Sequence, residues 1–300
     1  YRLRGSIAAK LGVQAAAVLL GSGSSDVIDM VARTFLGPGR NAVCSRHAFA
    51  MYPIYTTAAG AEIRMAAPLP ADHAQMPYGH DLDAMAALID AQTRVVFIAN
   101  PNNPTGTWLQ DDALRAVLDG LPDHVIVVLD EAYIEYVTDR GFSNGIRLLD
   151  DYPGLVVTRT FSKIYGLAGL RVGYGIADPE LLGWISRVRH PFNVSVPALA
   201  AAEAALDDQA FLAQSVQENA AGMAQLQEYF AATGLDCIPS AGNFLTVDLR
   251  RDGGEVYQAL LRNGVIARPL ANYDLPRHLR VSIGTAQQNE RFMAALGQVL

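Results

Sequence analysis

Three short runs of apolar, β-branched residues, Arg94–Ala99, Val125–Leu129 and Leu155–Thr158, alternate with segments of helical period, and this alternation leaves few folds open. A strand joined to a parallel neighbour by a crossover helix is buried on both faces, so its sequence reads as a continuous apolar run. Between the runs, Asp81–Asp90 places Leu82, Met85, Leu88 and Ile89 at helical spacing, and Gln110–Asp119 does the same with Leu114, Val117 and Leu118. The pattern predicts an α/β fold with a mostly parallel central sheet between helices. After Pro197 the composition shifts to an alanine- and glutamine-rich stretch, Ala198 to about Ala232, that reads as one long helix linking two domains. Beyond it lie two short strands, Asn243–Leu249 and His278–Ile283, and a helix over Gly254–Arg262. A closing amphipathic helix from Gln287 carries Phe292, Leu296 and Val299 on one face. That half is a smaller α+β lobe, and the expected division is 1–205 and 206–300.

Composition narrows the function classes. A formal charge of -7 with no lysine or arginine cluster argues against a nucleic-acid footprint. Cys44 and Cys237 lack metal-ligand or disulfide-framework spacing, which fits a reducing compartment and implies no metal site. The apolar runs are far shorter than a membrane span, and no signal-peptide pattern opens the chain; a cytoplasmic protein is expected. Of 23 basic residues only Lys10 and Lys163 are lysines, and the second sits in a hydroxyl-rich loop, Thr160-Phe161-Ser162-Lys163.

In open α/β sheets ligands collect at the carboxyl ends of the strands. All three runs end in polar groups there: Asn100-Pro101-Asn102-Asn103-Pro104-Thr105-Gly106, Asp130-Glu131-Ala132-Tyr133, and Arg159 through Lys163. A lysine that bonds an aldehyde cofactor needs a counter-charge on the ring nitrogen and an anion site for a phosphate. Asp130 suits the first, keeping a pyridinium protonated as an electron sink. Tyr133 and Asn103 are donors suited to the ring oxygen, and Arg171 with Thr160 and Ser162 suits the phosphate. Gly21-Ser22-Gly23-Ser24-Ser25-Asp26 precedes an apolar helical pattern, so its backbone N–H groups would face an anion from a helix N-terminus. Each segment alone has a plain structural reading: a turn for Asn100–Gly106, a strand end or cap for Asp130–Glu131, N-caps for Ser24 and Ser25, an aromatic on a helix for Tyr52, a surface lysine for Lys163. The combination, in this order, decides for chemistry.

Taken together, Asn100–Gly106, Val128–Tyr136 and Arg159–Tyr174 (RTFSKIYGLAGLRVGY) resemble the fold-type I pyridoxal-phosphate (PLP) enzymes. With Gly21–Asp29, His47–Tyr55, Pro191–Leu199, Gly264–Leu270 and Leu275–Arg291 the resemblance narrows to the histidinol-phosphate aminotransferases and covers essentially the whole chain. It implies that Lys163 carries the cofactor as a Schiff base and then serves as base in the proton shift. Asp130 would pair with the ring nitrogen, Asn103 and Tyr133 with the ring oxygen, and Tyr52 would stack on the ring. Backbone groups of Ser24, Ser25 and Asp26, with Thr160, Ser162 and Arg171, would hold the phosphate. Arg280, and with it Arg268, would grip the substrate's phosphate or the carboxylate of glutamate. The implied reaction moves an amino group between histidinol phosphate and 2-oxoglutarate, in a homodimer. An aromatic amino-acid aminotransferase or a threonine-phosphate decarboxylase shares almost every motif, and a non-catalytic PLP-fold effector module is the alternative of another class. The sequence departs from the family pattern at Gly23-Ser24-Ser25-Asp26, where Gly-Ser-Asp-Glu is usual. The family's N-terminal arm, with a tyrosine that reaches a neighbouring subunit's cofactor, has no match, Tyr1 included, and an upstream segment is expected to precede this sequence.

Overall fold

Each of the three apolar runs is a strand of one seven-stranded sheet. The structure, a computed structural model, describes residues 2–139, 141–142 and 144–300; Tyr1 lies outside the described residues. In chain order the strands are β1 (Val18–Gly21), β2 (Asn41–Ser45), β3 (Glu62–Ala66), β4 (Thr93–Ala99), β5 (Ile126–Asp130), β6 (Leu155–Thr160) and β7 (Gly173–Ile176). Their spatial order is β1-β7-β6-β5-β4-β2-β3; every neighbouring pair from β6 to β3 is parallel, and β7 runs antiparallel to both of its neighbours.

Strand side chains alternate between faces, and here the alternation sorts them onto two cores. Val96, Ile98, Val127, Leu129 and Val157 pack with α1 (Arg2–Leu11), α4 (Leu82–Ala86), α5 (Asp111–Asp119) and α7 (Val196–Asp207). Val95, Phe97, Ile126, Val128 and Val156 pack with α2 (Ser24–Phe35), α3 (Met51–Ala58) and α6 (Pro179–Ile185). The same period aims the strand ends. Asp130, Thr158 and Thr160 follow Val128 and Val156 onto the α2/α3 face; Glu131 and Arg159 fall on the other.

Four strands that no apolar run announces complete the sheet. The sequence of β7 is Gly-Tyr-Gly-Ile because α2 lies directly against it: a Cβ on Gly173 would come within 2.4 Å of the Ser24 backbone nitrogen, and one on Gly175 within 2.7 Å of a Val27 methyl. The glycines thus seat the N-terminus of α2 against the sheet. The helix expected over Asp81–Asp90 ends at Ala86, since Asp90 instead accepts from Asn41 Nδ2 and the backbone N–H groups of Gln92 and Thr93, turning the chain into β4.

The C-terminal lobe comprises α8 (Gln209–Ala232), β8 (Asp236–Ile238), β9 (Phe244–Asp248), α9 (Gly253–Arg262), β10 (Arg268–Leu270), β11 (Leu275–Ser282) and α10 (Ala286–Val299). Its antiparallel sheet, ordered β10-β11-β9-β8, has its own core around Phe230, Leu245, Val247, Leu260 and Phe292. The single long helix expected from Ala198 to Ala232 is two helices. Asp208 leaves helical geometry at φ -80, ψ 72 and caps α8 by accepting from the Phe211 N–H, a bond a continuous helix would not offer. We propose that the boundary between the domains, expected at 205/206, belongs to this break.

Behind the strand ends, on the α1/α7 face, Glu131 is fully buried. Its Oε2 accepts from Arg159 Nε (2.9 Å) and Nη2 (2.7 Å), and its Oε1 from the Gly145 N–H (2.7 Å). Removing one partner of a buried pair leaves the other charge uncompensated. Glu131→Gln should therefore lower unfolding stability by about 3–5 kcal/mol in urea titrations; an unchanged midpoint would show that the pair does not anchor these strand ends.

Candidate active site

The carboxyl ends of β4, β5 and β6 and the N-terminus of α2 enclose a cavity of about 190 Å³. One end of it collects anion donors. Gly23 caps α2 at φ 85 with no side-chain cap, which leaves the first N–H groups of the helix, at Ser24 and Ser25, facing the cavity they line. Arg171, itself left-handed at φ 53, lies across this helix start; a Cβ on Gly23 would meet its Nη2 at 2.5 Å, so only glycine admits the guanidinium. Arg171 Nη1 donates to Ser162 Oγ (3.2 Å) and to the Ala168 carbonyl (3.1 Å), and Thr160 closes the same end of the cavity. None of the ion pairs among the described residues uses Lys163, Arg171, Arg268 or Arg280.

At the floor lies Asp130, almost fully buried. Its Oδ2 accepts from Tyr52 Oη and its Oδ1 from Thr158 Oγ1, both at 3.0 Å. Burial raises its carboxyl pKa, and the bonds from Tyr52 and Thr158, the charge of Lys163 and the Ala132 N–H offset that only in part. A carboxylate so placed gains from a cation in contact, which a protonated ring nitrogen supplies. Burial above all, then Asp130 itself, holds the Tyr52 phenol well above its ordinary range, so Tyr52 remains a donor to the acid.

Lys163 enters from the loop after β6 and sets its Nζ 4.9 Å from the centroid of the Tyr133 ring, which in turn meets Phe244 of β9 edge-on at 5.3 Å. Asn103 arrives on the loop after β4, whose Asn100–Pro101 and Asn103–Pro104 bonds are cis. The small lobe holds that loop in place: Thr246 Oγ1 donates to the Pro104 carbonyl at 2.6 Å, and the Ala241 N–H to the Gly106 carbonyl at 2.9 Å. From β11, Arg280 donates closely to Asn103 Oδ1, with its guanidinium 5.1 Å from the Phe244 ring centroid. Arg268 is the register partner of Arg280 on β10 and is exposed in a neighbouring depression that both line. Two cations directly opposite on adjacent strands repel, and an anion between them relieves that repulsion.

Of the residues singled out from sequence, Ser24, Ser25, Asn103, Asp130 and Tyr133 line the cavity, as do Thr160, Ser162, Lys163 and Arg171. Two expectations need correction. Tyr52 does not offer a ring face to the cavity: it is buried beneath Asp130, stacked on Phe97 at 4.8 Å and 4°, because the period of α3 turns it into the core. The aromatic lining the cavity is Phe49, three residues earlier and edge-on to Tyr52 at 5.7 Å. Asp26 lies outside the cavity lining; its Oδ2 accepts from the Ser22 N–H and Asn193 Nδ2, and its own N–H is taken by the Gly23 carbonyl. Thr158, the second donor to Asp130, went unmarked in the sequence, although strand period alone puts it on the same face.

Fold and site together define a pyridoxal-phosphate-dependent transferase of fold type I. The residues present fit that cofactor: a lysine in no ion pair among the described residues, a buried acid that lines the cavity, and an anion cradle shaped by glycine. The chain belongs to the aminotransferase class I and II family, whose model matches residues 1–296, and is a transaminase. It is 56% identical over 300 residues to histidinol-phosphate aminotransferase 2 of Pseudomonas aeruginosa, covering all of this chain and 79% of that one. It is 54% identical over 302 residues to the enzyme of that name from Methylococcus capsulatus, covering all of this chain and 81% of the relative. Among solved structures, the histidinol-phosphate aminotransferase of Sinorhizobium meliloti in complex with pyridoxal-5'-phosphate superposes with a TM-score of 0.91 at 29% identity, over 99% of this chain and 80% of that one. The L-threonine-O-3-phosphate decarboxylase of Porphyromonas gingivalis superposes with a TM-score of 0.82 at 22% identity, over 99% and 87% of the two chains, a likeness of fold.

Proposed function

We propose that the chain transfers the amino group of histidinol phosphate to 2-oxoglutarate. The observation that carries this reading is the pair of arginines, Arg280 and Arg268, in no ion pair among the described residues and lining a depression beside the lysine cavity, where Arg280 reaches that cavity's Asn103, in a chain that shares more than half its residues with enzymes of that name. A phosphate monoester and the distal carboxylate of glutamate are both compact anions, and one arginine fork accepts either. Two amino donors then use one site in turn.

Bound pyridoxal phosphate supplies an aldehyde that condenses with amines and a ring that takes up the electron pair left by a departing α proton. The rest is the work of this chain. Ser24 and Ser25 N–H groups, Thr160, Ser162 and Arg171 fix the phosphate end, and Phe49 takes the stacking role that Tyr52 leaves. Asp130, hydrogen-bonded by Tyr52 and Thr158, would hold a proton on the ring nitrogen. Asn103 and Tyr133 set the ring oxygen, and Arg280 orients both the amino donor and Asn103. Lys163 would hold the cofactor through its Nζ and, as a free amine, would take the α proton and return it one bond further along.

Arg280→Gln is expected to lower kcat/KM for histidinol phosphate and for glutamate alike by about 10²-fold, with kcat changed less, since the interaction is one of binding. Half-reactions monitored by cofactor absorbance would show it; loss for neither donor removes Arg280 from the site. A panel with histidinol phosphate, phenylalanine, tyrosine and threonine phosphate as donors tests the substrate directly. Reaction with the aromatic amino acids alone would overturn the proposal.

We further propose a cytoplasmic homodimer. In the cytoplasm the free thiols of Cys44 and Cys237 stay reduced. Support for the dimer comes from Phe192, 96% exposed at φ 58, and from Val196, 78% exposed, two apolar side chains four residues apart that a subunit contact would remove from water. Sedimentation should find two copies for the native sequence and one for Phe192→Asp; a monomeric native protein would contradict it. No helix among the described residues is long and apolar enough to cross a membrane.

A further inference from the structure

A second cavity, roomier than the one that holds the lysine, lies apart from it. A groove of about 590 Å³ runs between α4 and α5, under the loop that precedes α4. Its walls are apolar, with Leu82, Ile89, Leu109, Val117 and Leu121 among them, and its polar groups are His73, His80, Asp81 and Asp83. Two carboxylates and no lysine or arginine make it hospitable to neutral or cationic molecules and hostile to anions.

His80 gives the groove its chemistry. The imidazole is 3% exposed, and its Nε2 lies 2.8 Å from the Ala99 carbonyl, which can only accept, so Nε2 carries the proton. Burial pushes its pKa down to about 4, and the ring is neutral at physiological pH. Nδ1 is then a bare acceptor, and among the described residues it has no hydrogen-bond partner. The two nitrogens of an imidazole point in widely different directions, so Nδ1 is turned away from the Ala99 carbonyl, in a ring that lines the groove. A buried acceptor without a donor costs about 1–3 kcal/mol, and a donor arriving through the groove satisfies it.

The groove also touches the far side of the cofactor cavity. Ala99, to which His80 bonds, lines that cavity. Leu109, in the groove wall, exchanges bonds with the next residue: its N–H donates to Asn100 Oδ1 at 2.9 Å, and Asn100 Nδ2 donates to its carbonyl at 3.4 Å. Asn100 leads into Pro101 and Asn103, both in the cofactor cavity. Two groove residues therefore hold the end of β4 and the loop that carries Asn103.

We propose that this groove is a second small-molecule site, for a neutral or cationic apolar molecule bearing one N–H or O–H donor, and that its occupancy is transmitted through Ala99 and Asn100 to the cofactor pocket. The inference stands whichever amino donor the enzyme uses. The probe is gramine, a cationic indole with an N–H; its tertiary amine cannot condense with an aldehyde. Its 1-methyl derivative, which lacks the donor, and indole-3-acetate, an anion, serve as comparisons. Calorimetry on the holoenzyme should show saturable gramine binding, at least about tenfold weaker for the 1-methyl derivative and weaker still for the anion. Ala116 lines the groove from the exposed side of α5, apart from the cofactor cavity. Ala116→Trp should abolish gramine binding at unchanged kcat, and His80→Phe should erase the preference for gramine over its 1-methyl derivative. Saturation should shift the visible absorption of the bound cofactor in the native protein and not in Ala116→Trp. No saturable binding, equal affinity for the three probes, or binding indifferent to Ala116→Trp would overturn the site; binding with an unmoved spectrum would overturn the coupling.

Discussion

Replacing Lys163 with alanine is expected to lower kcat by about 10⁴-fold or more while leaving the protein folded. In the proposed reaction this side chain acts twice, first as the amine holding the cofactor aldehyde and then as the base moving the α proton. A positioned base is worth about 10²–10⁴-fold by itself, and no other lysine can replace it, since Lys10 donates to the Leu206 carbonyl between α1 and α7. The fold should not notice. Lys163 is half-exposed, it is in no ion pair among the described residues, and its ammonium lies over the Tyr133 ring at 4.9 Å. Removing it strands no buried partner, so the unfolding free energy should move by less than about 1 kcal/mol. Single-turnover kinetics beside a urea titration read both quantities. Retention of more than about a hundredth of native kcat would contradict the assignment.

Asp130→Asn should separate catalysis from stability in the opposite sense to Glu131→Gln. Loss of the carboxylate beneath a heteroaromatic ring removes the charge that keeps its nitrogen protonated, and a fall in kcat of about 10³-fold or more is expected. Stability should behave differently. The folded-state pKa of Asp130 is raised above its unfolded value, chiefly by burial. Its contribution to the cofactor-free protein is therefore most favourable below the unfolded pKa and is lost as pH rises through the folded pKa. Ionisation as pH rises makes the buried acid a liability that asparagine, nearly isosteric, does not carry. The cofactor-free variant should be at least as stable as the native protein at pH 7, with a flatter pH dependence on the acid side, by denaturant titration across that range. A less stable variant would mean that Asp130 serves the fold, as Glu131 does.

Neighbouring acids with opposite duties show how far the sequence carries. A strand of known phase sends alternate residues to opposite faces, so Val128, Asp130, Thr158 and Thr160 fall under α2 and α3, with Glu131 and Arg159 behind them. The three apolar runs were legible because parallel strands are buried on both sides. Strands such as β7 were not, since Gly173 and Gly175 are there for α2, a contact distant in sequence. The same limit hid the exchange between Phe49 and Tyr52. Helical spacing places two aromatics on α3 and its approach, but which one meets the cavity depends on Phe97 of β4 filling the space beneath Tyr52. The backbone of Asp26, expected beside those of Ser24 and Ser25, is instead turned inward, its N–H bonded to the Gly23 carbonyl. The break at Asp208 was hidden by an alanine-rich composition that favours helix on either side of it.

The central claim is that Lys163 holds the cofactor covalently. Borohydride reduction of the coloured holoenzyme fixes the cofactor to whichever amine bears it, and peptide mapping then finds that amine. The mass of the reduced cofactor should appear on the peptide that contains Lys163 and nowhere else. Its appearance on Lys10 or the N-terminus, or its absence from every peptide, would contradict the account.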